Sequence, residues 1–249
     1  KSTLISSEPG AWIFLQLRQN PNLLVEGSYN GLQLLQKKAD DHWVAKTRLD
    51  GFRESSRVME QDRDGVLWIT HGYKGVYKVV FNDSANRIQS IDFYGAEKGF
   101  PSNVLINVFN IRNELVFTSE NGVYKYDKQT DRFVREPFFT NLLGEYAQLW
   151  HLREDAFGNI YFTGQNQIGV LRKNTIGTYS LEANTFNKIR GFLNDDLENM
   201  TILENNEVMF GAKEGFVHYN PNTRLSSESR FKTHIRRFST TIAGDSLLF

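Results

Sequence analysis

Asp64-Gly65-Val66-Leu67-Trp68-Ile69-Thr70, followed shortly by Gly75-Val76-Tyr77-Lys78, is the stretch that decides the fold. An Asp-Gly turn opens it, an apolar run of strand length follows, and a Gly restarts a second run of β-formers. The order recurs in Phe117-Thr118-Ser119-Glu120-Asn121-Gly122-Val123-Tyr124-Lys125-Tyr126-Asp127. It recurs again in Phe210-Gly211 with Gly215-Phe216-Val217-His218-Tyr219-Asn220-Pro221. Working outward, a Gly followed by an apolar residue stands at Gly31, Gly75, Gly122, Gly169 and Gly215, at spacings of 44, 47, 47 and 46 residues. A period in that range marks a repeat architecture.

Each Gly follows an apolar strand: Leu23-Leu24-Val25, Val66 to Thr70, Leu115 to Thr118, Ile160 to Thr163 and Val208 to Gly211. Before each strand lies a turn of residues that tolerate positive φ: Asn20-Pro21-Asn22, Asp64-Gly65, Arg112-Asn113, Gly158-Asn159 and Asn205-Asn206. A further apolar segment precedes each turn, and a weaker fourth one, such as Ile88-Gln89-Ser90-Ile91, closes the unit. Four short antiparallel strands per unit make one blade of a β-propeller, so the expected fold class is all-β, with about five blades. The second strand of each unit is apolar almost without alternation, as expected for a sheet covered on both faces by its neighbours.

These units resemble the two-component-regulator propeller repeat of extracytoplasmic sensor proteins, mostly from Bacteroidetes. The resemblance rests on the three stretches quoted above and on Gly99-Phe100-Pro101-Ser102-Asn103 opening a blade, and it runs from about residue 11 to residue 221. It implies propeller blades over 1–225. The tail, with Ile235-Arg236-Arg237-Phe238 and Gly244-Asp245-Ser246-Leu247-Leu248, looks like the first strands of the Ig-like domain that follows the propeller in these sensors, over 226–249. The chain is then expected to be a piece of a longer, membrane-anchored parent in which a kinase or a transcriptional module reads the signal. Family members carry rings of seven blades, so missing chain or a homodimer contact is expected to cover the faces that five blades leave open.

Composition narrows the function classes. The 249 residues carry 29 Lys+Arg against 29 Asp+Glu, a balance that argues against nucleic-acid contact. No apolar run reaches bilayer-spanning length, so no membrane insertion is expected of this segment. With no Cys, thiolate metal sites, disulfides and cysteine nucleophiles are excluded. A propeller glycosidase needs two facing carboxylates. The inner strands, read as Trp12 to Leu15, Arg57 to Glu60, Leu105 to Val108, Leu149 to Leu152 and Met200 to Leu203, offer only Glu60. The five His residues show no metal-ligand spacing. Asp62-Arg63-Asp64-Gly65 begins like a calcium loop but lacks the later ligands and reads as a hairpin turn. No catalytic residue, metal or cofactor is therefore expected.

Two features point toward binding. Arg230, Lys232, His234 and Arg236 alternate with apolar residues and would line one face of a strand. The polar, aromatic loops with His71 and Tyr73, and with Gln165 and Asn166, suit stacking on and hydrogen bonding to a sugar. The resemblance implies a non-enzymatic, periplasmic ligand-sensing module responding to a glycan-derived cue or another small molecule. A protein-binding scaffold is the alternative, and a carbohydrate-active enzyme the third reading.

Overall fold

The computed structural model describes residues 4–165, 167–193 and 199–223, and the chain divides into two compact units, Lys1–Tyr219 and Asn220–Phe249. The expected Ig-like strands and the basic stripe from Arg230 to Arg236 lie outside the described residues, as does Asn166.

The first unit is a five-bladed β-propeller. Blade 1 is β1 (Ile13–Leu17), β2 (Asn20–Ser28), β3 (Gly31–Lys37) and β4 (Trp43–Leu49). Blade 2 is β5 (Val58–Gln61), β6 (Leu67–His71), β7 (Gly75–Phe81) and β8 (Ile88–Tyr94). Blade 3 is β9 (Asn107–Ile111), β10 (Glu114–Ser119), β11 (Gly122–Asp127) and β12 (Arg132–Arg135). Blade 4 is β13 (Leu149–Glu154), β14 (Ile160–Gly164), β15 (Gln167–Lys173) and β16 (Tyr179–Glu182). In blade 5 the described residues form β17 (Met200–Ile202), β18 (Val208–Ala212) and β19 (Gly215–Tyr219). Every sheet is an antiparallel meander in chain order. The first strands of successive blades touch, β1 to β5, β5 to β9, β9 to β13 and β13 to β17, so they are the innermost.

Apolar side chains fill the space between consecutive blades. Leu34 and Val25 meet Met59 and Ile69 between blades 1 and 2. Trp68, Tyr94, Phe100, Phe117 and Phe133 fill the space between blades 2 and 3. Phe139, Leu152 and Phe162 serve blades 3 and 4, and Tyr161, Phe186 and Phe210 serve blades 4 and 5. Burial on both sheet faces explains the continuous apolar run of β6 and β14. Gly99 (φ +113°) lets the chain turn from blade 2 into blade 3, and a Cβ there would lie 2.1 Å from the carbonyl oxygen of Phe133. The turn delivers Phe100 onto Phe133, ring centroids 4.2 Å apart.

Two local features differ from the expectation. The first turn of blade 1 falls on Arg18-Gln19, ahead of Asn20-Pro21-Asn22, which join β2. Gln61 of blade 2 fixes it, accepting from Arg18 N at 2.9 Å and donating to Gln19 Oε1 at 2.8 Å. Blade 3 leads into blade 4 through a short helix, α1 (Pro137–Leu143), capped by Glu136 accepting from Phe139 N at 3.0 Å, with Pro137 at its first position.

Candidate ligand-binding face

A four-stranded meander puts its first and third hairpins at one end and its middle hairpin, with the link to the next blade, at the other. The propeller therefore has a lower end built from the first and third hairpins and an upper end built from the middle hairpins and blade links. The two ends differ in chemistry.

At the lower end a groove of about 760 Å³ runs between blades 2 and 3. Its polar rim includes Arg18, Asp62, Asp64, Asn113 and Lys128, and its floor includes Trp68 and Tyr126. Asp62, Asp64, Lys128 and both floor rings are already engaged. Asp62 Oδ1 accepts from Asp64 N at 3.0 Å and Val66 N at 2.9 Å, while Oδ2 accepts from the Trp68 indole at 3.0 Å. The Asp62 carboxylate thus closes the turn. Asp155 repeats the device in blade 4, accepting from Phe157 N and Asn159 N, both at 2.9 Å. Lys128 pairs with Asp64 across the rim. The Tyr126 hydroxyl donates to Asp131 Oδ1 at 2.6 Å, where Tyr94 also donates at 2.8 Å and Lys98 pairs with Oδ2 at 2.5 Å. The Lys98 ammonium, then the Tyr126 and Tyr94 hydroxyls, hold the Asp131 carboxyl well below the ordinary carboxylate range.

The innermost strands carry Glu60 on β5 and, two residues beyond the expected Leu149 to Leu152 stretch, Glu154 at the end of β13. Burial pushes the Glu60 carboxyl up, opposed by the positive charges of Arg153 and then Arg18. Arg153 lies over the Phe109 ring, 5.6 Å from its centroid, and donates to Leu152 O at 3.0 Å. Glu154 Oε2 accepts from Arg112 N at 2.5 Å, tying blade 4 to blade 3.

The upper end presents aromatic rings to solvent. Tyr73, on the β6–β7 loop, is 77% exposed, Tyr146, on the link into blade 4, is 66% exposed, and Tyr29, on the β2–β3 loop, is 53% exposed. Beside Tyr29 a polar depression of about 540 Å³ is lined by Asn30, Arg48, Asp50 and Arg53. His71 is set by geometry: its Nδ1 accepts from Tyr73 N at 3.1 Å, and its Nε2 lies 3.9 Å from Glu54 Oε2. Lys74 pairs with the same Glu54 oxygen at 2.7 Å. Burial lowers the pKa of His71, with help from the Lys74 charge and against the pull of Glu54. The ring is then neutral near pH 7, with Nδ1 as acceptor and the proton on Nε2 toward Glu54.

Of the residues singled out from the sequence, the structure joins His71 and Tyr73 and puts Gln165 at the same end, on the β14–β15 loop. Gln165 N donates to Gln148 O at 3.1 Å. Among the described residues no hydrogen bond or ring contact joins Gln165 to His71 or Tyr73, since blade 3 stands between them. Tyr29 and Tyr146 were not singled out. Their signal was a lone Tyr in a blade-end loop, which only the meander topology turns into a shared face.

Comparison of the sequence with protein-family models and with curated proteins gives no match. Solved structures do resemble it. The extracellular domain of the putative hybrid two-component system BT3049 from B. thetaiotaomicron matches with a TM-score of 0.56 at 14% identity, over 94% of this chain and 34% of that one. The extracellular domain of the putative one-component system BT4673 from the same organism matches with a TM-score of 0.54 at 13% identity, over 90% of this chain and 29% of that one. The chain spans about a third of the length of these neighbours. At such identities the likeness shows a shared propeller fold.

Proposed function

We propose that this propeller is a non-enzymatic, extracytoplasmic ligand-sensing module of a bacterial signal-transduction regulator, and that its upper end takes a glycan-derived ligand. The observation that carries the reading is the set of exposed tyrosines, Tyr29, Tyr73 and Tyr146, held at one end by loops of three different blades. Each ring has one neighbour on the protein, Trp12 at Tyr29, His71 at Tyr73 and Arg135 at Tyr146, and the surface left exposed suits stacking on the apolar faces of sugar rings, with neighbouring polar groups supplying hydrogen bonds to hydroxyls. His71 and Tyr73 form one contact region, and Gln165 with Asn166 a second.

The fold likeness to extracellular domains of two-component and one-component systems agrees with a sensing role. So does the state of the inner-strand carboxylates: Glu154 is tied to a backbone amide, and Glu60 faces arginines instead of a second acid. The parent passes the signal through an Ig-like domain that starts within 226–249, to a kinase or transcriptional output. Ligand affinity must differ between two arrangements of the parent for a signal to follow. Where five blades leave a face open, self-association of the parent is the expected cover.

The test is a calorimetric titration of the chain with host and plant oligosaccharides, repeated with Tyr73→Ala and Tyr146→Ala. Saturable binding to one glycan class, weakened by either substitution, supports the reading. Silence across the panel, with a purified protein partner captured through the same tyrosines, would favour a protein-binding scaffold, which exposed Tyr clustered at one end also suits.

A further inference from the structure

Arg57 stands at the upper end of blade 2, immediately ahead of β5, and is exposed. Among the described residues it makes no ion pair, hydrogen bond or ring contact. Register places it. Val58 faces Thr70, so Arg57 arrives opposite His71, and its Nη1 lies 3.7 Å from where a Cβ on Gly72 would stand. Glu54, on the same blade link, is already taken by Lys74 at 2.7 Å and faces His71 at 3.9 Å. With His71 neutral, Arg57 and Lys74 are two cations against the single acid Glu54, and the local charge is positive.

Against the same loop lies Leu105, on the link into blade 3. Its N–H donates to Gly72 O at 3.2 Å, its φ is +57°, and its side chain is 52% exposed. A leucine in the left-handed region is strained, and its apolar side chain gains nothing from water, so neither backbone preference nor packing accounts for it. Gly72 is thus the common neighbour of an unpaired guanidinium and a solvent-facing leucine, and the exposed Tyr73 follows it in the chain. Blades 2 and 3 each have a neighbouring blade on both sides, so this patch is a finished part of the propeller surface.

We propose that this patch binds a uronate, a sugar ring carrying a carboxylate, and that acidic oligosaccharides are the class of glycan the upper end takes. The proposal rests on the glycan-binding reading of that end and names its ligand. The planar fork of Arg57 donates to both carboxylate oxygens, while Tyr73 and Leu105 offer apolar surface to the C–H face of the sugar ring. A neutral sugar gains the stacking alone and leaves the guanidinium to water. An amino sugar meets the excess positive charge and is repelled.

The test titrates the full chain by calorimetry with trigalacturonate and with a hyaluronan tetrasaccharide, each beside its carboxyl-reduced counterpart. At least one acid is expected to bind, with its reduced form and the Arg57→Gln variant each weakening the interaction about tenfold, the scale of a lost hydrogen bond to a charged group. Arg63→Gln removes the same charge from the exposed lower-end turn of blade 2 and should change nothing, which separates local recognition from net charge. Both arginines are exposed, so both variants are expected to fold. Leu105→Gly relieves the positive φ and should weaken binding without lowering Tm, a pairing that a purely structural role would not give. An unchanged affinity in Arg57→Gln, or equal losses in Arg57→Gln and Arg63→Gln, overturns the site. Reduced forms that bind as tightly as the acids, or a neutral glycan that binds through Tyr73 where the acids do not, overturn the acid preference and leave the glycan reading standing. Silence from every sugar, acidic and neutral, overturns both.

Discussion

Replacing Trp68 by Phe removes the link between the lower-end turn of blade 2 and the core it shares with blade 3. The indole is 2% exposed and touches Tyr94, Phe117, Tyr126 and Phe133 at centroid distances from 4.8 to 5.8 Å. Its N–H donates to Asp62 Oδ2 at 3.0 Å, on the carboxylate that closes the turn. Losing a hydrogen bond to a charged group costs about 1.5–3 kcal/mol, and because Asp62 is only half-buried the lower figure applies. The smaller ring leaves a void of roughly 40 Å³, which at about 24 cal/mol per Å³ adds roughly 1 kcal/mol. Trp68→Phe should therefore destabilise by about 2.5 kcal/mol, a fall in Tm of roughly 5–10 °C for a unit of this size. Urea unfolding of Trp68→Phe, Asp62→Ala and the double variant closes the cycle, with a coupling of about 1 kcal/mol expected for groups in direct contact. A loss under about 1 kcal/mol for Trp68→Phe, or no coupling, would refute the claim that the turn and the inter-blade core are one structural unit.

Gly99→Ala should destabilise by about 1–3 kcal/mol or more, because the positive φ disfavours a side chain and the new Cβ meets the Phe133 carbonyl oxygen; a Tm within 1–2 °C of wild type, roughly the effect of a neutral surface change, would contradict it. Tyr73→Ala removes an exposed ring and should leave stability within about 0.5 kcal/mol while reducing glycan binding, so calorimetry beside a melting curve separates the two effects. His71 is expected to make stability pH-dependent. Its folded pKa lies below the ordinary 6.5, so its contribution is fully present above about pH 6.5 and is lost as the pH falls through the depressed value. His71→Gln should flatten that part of the Tm profile between pH 7.5 and 5, and an unchanged slope would assign it elsewhere.

The blade pattern was legible because it is local. The Gly that restarts each third strand and the Asp, Asn or Gly turns ahead of each second strand act through φ and hairpin geometry within a few residues. Even there, Asn20-Pro21-Asn22 looked like a turn and joined a strand, because Gln61 of the next blade anchors Arg18-Gln19. The helix α1 had a cap and a Pro in the right places, but one short turn leaves no periodicity to read. Glu154 was missed because β13 runs on past the apolar stretch that marked it.

The sequence by itself determined the all-β class and the count of about five repeats in this chain, since these follow from the period of turn and strand signals along it, while the inner strands were located but not bounded: β9 begins two residues after the expected Leu105. Only the tertiary structure decided which groups share a surface. Tyr29, Tyr73 and Tyr146 lie at one end because antiparallel meanders return every middle hairpin and blade link to the same side. The carboxylates of Asp62 and Asp131 were withdrawn from binding because neighbours from the turn and from the adjacent blade satisfy them. Arg57 was read only as the start of an inner strand, and its place beside Gly72 and Leu105 came to light only once β5 and β6 were paired in register. Whether a polar atom finds a partner depends on residues brought close in space, and sequence distance does not encode that.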